Sequence, residues 1–61
     1  MKRRQLLRHL RAHGCFLFRE GANHSVFKNP ATGAMSTVPR HTEVKDTLAR
    51  KICRDLGIPP V

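Results

Sequence analysis

Leu6, Leu7 and Leu10 fall at i, i+1 and i+4, placing them on one side of a helix predicted from about Lys2 to His13. Arg4, Arg8 and Arg11 follow at i, i+4 and i+7, a basic stripe beside the leucines. Gly14 suits the left-handed conformation that ends a helix. The pattern then shortens. Cys15-Phe16-Leu17-Phe18-Arg19 is brief, apolar and aromatic-rich, which reads as a first strand. Gly21-Ala22-Asn23 is turn chemistry, since Gly and Asn tolerate positive φ, and Ser25 to Lys28 reads as a second strand returning antiparallel. Asn29-Pro30-Ala31-Thr32-Gly33 makes a second reversal, and Ala34 to Val38 a third strand stopped by Pro39. Helical spacing then resumes. Leu48, Ala49, Ile52, Cys53 and Leu56 share one face, with Arg50, Lys51 and Arg54 opposite. The start falls between Thr42 and Asp46, with Asp46 the preferred N-cap, and Gly57 and Pro59 close the helix.

The elements give an α+β fold of order α-β-β-β-α, read as one domain over residues 1–61. A three-stranded antiparallel sheet buries one face under two helices and leaves the other open. With so small a core, that open face or its rim is expected to contact another chain. Phe16, Phe18 and Phe27, the only aromatics, are expected to pack in the core rather than stack on bases.

Charge changes the picture most. Twelve Lys and Arg against four Asp and Glu leave a formal net charge of +8, which favours a polyanionic partner, most often nucleic acid. The first 13 residues hold five of those cations and no acid. Cys15 and Cys53 supply neither a disulfide framework nor a C-x-x-C zinc site and read as buried thiols of a reducing cytoplasm. Arg8 and Arg11 interrupt what could pass for a signal peptide. No run approaches the roughly 18 apolar residues of a membrane span, and the strands break up any continuous amphipathic helix. With its helices separated by three strands, the chain has no helix-turn-helix pair for specific DNA binding.

The candidate chemistry centres on His24, placed directly after the Gly21-Ala22-Asn23 turn. A histidine entering a strand is by default structural or simply exposed. Imidazole nevertheless titrates near neutrality, so His24 is suited to accept and return a proton. Arg40 and His41 leave the third strand either as a solvated loop or as phosphate-binding groups. Arg4, Arg8, Arg11, Lys28, Arg40 and Lys51 are the candidates for RNA phosphate, unless they merely solvate their faces. His9 and His13 are expected to be exposed. Glu20, Glu43, Asp46 and Asp55 are too dispersed to hold a magnesium ion, so neither metal nor cofactor is expected.

The element order, the Gly21-Ala22-Asn23-His24 turn, the Pro39-Arg40-His41 exit and the closing Leu48 to Ile58 segment together resemble the HicA family of toxins, also described as YcfA-like mRNA interferases. The resemblance covers essentially the whole chain. It implies a double-stranded-RNA-binding-domain-like fold and a toxin of a type II toxin–antitoxin system that cleaves mRNA and blocks translation. It also implies a HicB antitoxin that covers the active site. By position, the family's catalytic histidine falls on His24, with Asn23 and His41 as auxiliary candidates. Many members read Gly-Ser-His-His across the turn, where this chain has Ala22-Asn23-His24-Ser25. A positive φ at Ala22 would strain the turn. The mechanism expected is metal-independent, with His24 as general base on the ribose 2′-hydroxyl. The alternative is a non-catalytic basic RNA-binding module, which accounts for fold and charge but gives His24 no task.

Overall fold

The computed structural model describes residues 1–61. Its elements are α1 (Arg3–Ala12), β1 (Phe16–Glu20), β2 (His24–Lys28), β3 (Met35–Pro39) and α2 (Asp46–Leu56). The strands form one antiparallel sheet in the order β1-β2-β3, so the α-β-β-β-α order read from the sequence is the observed one.

Both helices end through the same local device. Gly14 and Gly57 sit in the left-handed region, at φ 84° and 72°. The residue after each glycine returns its N–H to an orphan carbonyl, Cys15 to Leu10 and Ile58 to Cys53, both at 3.0 Å. Those returning residues turn inward: Cys15 is buried, and Ile58 packs against the core. The start of α2 differs from expectation. Asp46 is its first helical residue, with Lys45 at the cap, and its carboxylate accepts from the Met1 nitrogen at 3.2 Å. A negative group in the first turn suits the helix dipole without serving as a cap.

One core joins α1 (Leu6, Leu7, Leu10), the strands (Phe27, Val38) and α2 (Ala49, Ile52, Cys53, Leu56), with Cys15 and Val44 completing it. Strand alternation explains the sheet's share. Ser25 and Phe27 point inward from β2, while His24, Val26 and Lys28 face the other side beside Pro39, Thr37 and Met35 of β3.

The expectation for the aromatics holds for Phe27 alone. Phe16 and Phe18 are 44% and 50% exposed, and no residue of β1 is buried. The cause is position: β1 is an edge strand, and its register with β2 slips between Leu17 and Arg19, a bulge that disrupts the alternation at Phe18. Leu48, read as a core residue, is also part-exposed. Phe16, Leu17, Phe18, Met35 and Leu48 therefore leave considerable apolar surface open. The exposure expected of His9 is likewise corrected. Its ring is half-buried, with Nε2 2.7 Å from the Pro59 carbonyl, whereas His13 is exposed.

Candidate active site at the sheet rim

The start of β2 pairs with the end of β3, His24 opposite Pro39. The β1–β2 turn and the chain leaving β3 therefore emerge at the same end of the sheet. Antiparallel register alone brings together two segments that lie some 15 residues apart. Between them opens a cleft of about 430 Å³ lined by Ala22, Asn23, His24, Pro39, Arg40 and His41. The His24 and His41 side chains are both exposed, so a large substrate can reach them.

The turn that presents His24 is closed by one short backbone bond, Gly21 N–H to the His24 carbonyl at 2.7 Å. Glycine is favoured here by proximity: a Cβ at position 21 would lie 3.0 Å from that carbonyl oxygen, a tight contact that the turn would have to ease. Positive φ has no part in it. No non-glycine residue adopts it, and Gly21 does not either, so the strain expected at Ala22 is absent. Arg40 braces the turn from the opposite segment. Its Nη1 donates to the carbonyls of Gly21 and Ala22 at 3.1 and 3.3 Å, and its Nε lies 3.8 Å from Glu20 Oε1.

A polar network lies directly behind His24. Ser25, 1% exposed, donates its hydroxyl proton to Glu20 Oε1 and accepts from Arg3 Nη2 at 2.9 Å. Arg3 Nε donates at 2.8 Å to the carbonyl of Pro39, the residue that faces His24 across the sheet. One guanidinium thus ties α1 to both strands of the site. Because the Ser25 hydroxyl has a donor on one side and an acceptor on the other, its burial leaves no polar atom orphaned. Charge-assisted bonds of this kind are among the stronger ones.

The other sequence candidates divide by place. Arg4 lies near the site: with Lys2, Arg3, Leu7, Arg40 and Thr42 it lines a second cleft, also about 430 Å³. Arg40 belongs to both clefts. Arg8 is exposed and lines neither, and Arg11 stacks its guanidinium 6.0 Å from the Phe27 ring. Lys28 stands at the far end of β2, roughly 13 Å along the strand from His24, with its ammonium 5.1 Å over the Phe18 ring. Lys51 is not brought to the site. It pairs with Asp55 at 2.8 Å and lines the largest hollow, about 590 Å³, between α2 and the outer face of β3. That hollow contains no histidine, and half of its lining residues are apolar: Phe18, Val26, Met35, Leu48 and Ile52.

Arg3 was absent from the sequence candidates, although a signal existed. Arg3, Leu6, Leu7 and Leu10 fall at i, i+3, i+4 and i+7, so this cation sits on the apolar stripe of its helix. An arginine there is drawn to buried acceptors.

Taken together, fold and rim describe a small basic α+β domain presenting two exposed imidazoles and an arginine at one end of its sheet. The sequence description of the HicA toxin of bacterial toxin–antitoxin systems matches residues 3–58, nearly the whole chain, and the chain belongs to that family. It is accordingly a toxin-type component whose family implies an antitoxin partner. Comparison with curated proteins and with solved structures finds no match. No helix is long and apolar enough to cross a membrane.

Proposed function

We propose that this chain is a metal-independent endoribonuclease that cleaves mRNA, with His24 as general base and a HicB-like antitoxin as the protein that covers the rim. The observation that carries the reading is the exposed His24 ring held between a closed turn and the Pro39-Arg40-His41 exit, in a chain of net charge +8. The nucleophile is already in the substrate. His24 takes the proton of a ribose 2′-hydroxyl, and the oxygen attacks the adjacent phosphorus. The bond to the 5′-oxygen breaks, and that oxygen takes up a proton, for which His41 in the same cleft is the candidate donor. The products are a 2′,3′-cyclic phosphate and a 5′-hydroxyl. Arg40 supplies positive charge where the phosphorane gains negative charge. DNA lacks the attacking hydroxyl, so RNA selectivity comes from the chemistry itself.

A non-catalytic RNA-binding module is the competing reading. Expression of wild type and His24→Ala in growing cells, with RNA affinity measured on the purified proteins, separates the two. The enzyme reading predicts lost growth inhibition with affinity largely kept. Growth inhibition unchanged by His24→Ala contradicts it.

A further inference from the structure

Arg40 stands on the wall between two clefts, and only one of them contains histidine. The second is lined by Lys2, Arg3, Arg4, Leu7, Arg40 and Thr42: four cations, one hydroxyl, and no acid. None of the four carboxylates lines the cleft: Glu20 accepts from Ser25 and lies beside Arg40, Glu43 pairs with Lys2, Asp46 with Met1, and Asp55 with Lys51. Glu43 reaches the Lys2 ammonium at 3.3 Å from outside the cleft, and both side chains are more than half exposed. Such a pair is weak and readily exchanged for a phosphate.

Not all four cations are available. The Arg3 guanidinium is turned inward onto Pro39 and Ser25. Arg4 makes no ion pair; Arg40 spends Nη1 on the turn carbonyls and has Nε 3.8 Å from Glu20, while its Nη2 makes no hydrogen bond. Lys2, Arg4 and Arg40 are thus held at the mouth of one cleft with donors to offer. Glu43 and Glu20 offset part of the charge on Lys2 and Arg40, and Arg4 has no carboxylate partner. Lys2 and Arg4 also sit at the positive end of the α1 dipole, with no acid in its first turn.

We infer that this cleft is a phosphate subsite of the RNA path. It takes the backbone phosphate next to the scissile one through Lys2, Arg4 and Arg40, so the substrate extends from the His24 cleft over the start of α1. The inference rests on the nuclease reading for its position relative to the cut, and on the cleft alone for phosphate binding. It also makes the path one-sided. Arg8 and Lys51 lie in neither cleft, and Lys28 stands at the opposite end of β2.

The test uses the full chain and single-stranded RNA in two arms. In the first, RNA affinity is measured by fluorescence anisotropy across a salt series. Arg4→Ala is expected to flatten the slope of log K against log salt by about 0.7, the value of one single-strand phosphate contact. Arg54→Ala, on the outer face of α2, is expected to leave the slope unchanged. Equal flattening by both variants would overturn the inference, because the attraction would then be diffuse. In the second arm, DNA oligonucleotides carrying one ribonucleotide fix the cleavage position, and one phosphate is added on the 5′ or the 3′ side. Extension on one side should raise kcat/KM at least threefold in wild type and not in Arg4→Ala. A gain from neither side, or an equal gain in Arg4→Ala, overturns the subsite. Failure of wild type to cleave even long mRNA would instead remove the nuclease reading, and the salt slopes would still decide whether the cleft binds phosphate.

Discussion

Arg3 shows how one side chain can determine the geometry of a site it does not enter. Its Nε and Nη2 reach the Pro39 carbonyl and the Ser25 hydroxyl at 2.8 and 2.9 Å, tying the residue opposite His24 to the residue that follows it. Replacing Arg3 by Ala leaves the buried Ser25 hydroxyl without its donor. Urea denaturation should then show a loss of about 1–3 kcal/mol. Arg3→Lys should not restore it, because a single ammonium cannot reproduce the two-pronged geometry of the guanidinium. Unchanged stability in Arg3→Ala would mean the network does not hold the rim together. The cysteines are a second residue-scale case. Burial pushes both thiols above their usual range, and for Cys15 the neighbouring Cys53 adds to the shift. A raised folded pKa contributes stability that is fully present below the unfolded value, roughly 8.5, and is lost as pH rises through the folded one. The melting temperature should therefore fall above about pH 8.5, and Cys15→Ala/Cys53→Ala should remove part of that fall. A pH profile identical in the double variant would contradict the assignment.

The elements were legible in the sequence because each carries its own period and stop. The leucines of α1, the apolar face of α2 and the glycine after each helix gave both helices to within a few residues. The strands and turns were equally plain. What the chain could not disclose locally was register. Phe16 and Phe18 look like core residues in a four-residue apolar run, yet an edge position and a bulge leave them half in solvent. Phe27, in the central strand, is 1% exposed. Phe27→Ala should cost about 3–5 kcal/mol, enough to unfold a domain this small. Phe18→Ala should cost well under that, nearer the roughly 0.5 kcal/mol of a surface change. Thermal denaturation of the two variants checks the difference, and equal losses would contradict the register. The site followed the same rule. His24, Arg40 and His41 could be picked out by residue type and place in the chain, but their convergence depends on His24 pairing with Pro39. Lys51 shows the converse: a cation on a polar helix face can be occupied by a carboxylate one turn away.

Across the whole molecule, charge and surface are unevenly shared. The cations at the start of α1 and at the β3 exit gather at one end of the sheet, beside the imidazoles, while the exposed apolar side chains lie on β1, the outer side of β3 and α2. A body of this kind can draw in a polyanion at one end and still offer a protein partner a separate apolar surface. All of this serves one chemical claim, that the imidazole at position 24 deprotonates a ribose hydroxyl. The most direct measurement is the cleavage rate of a defined RNA in EDTA, for wild type and His24→Ala. The same RNA carrying a single 2′-deoxy substitution at the mapped cut completes the set. The account predicts cleavage by wild type with a 2′,3′-cyclic phosphate end, a fall of about 10²–10⁴ in His24→Ala, and no cut at the deoxy position. Cleavage that continues at the deoxy position, or that proceeds equally well with alanine at position 24, would contradict it.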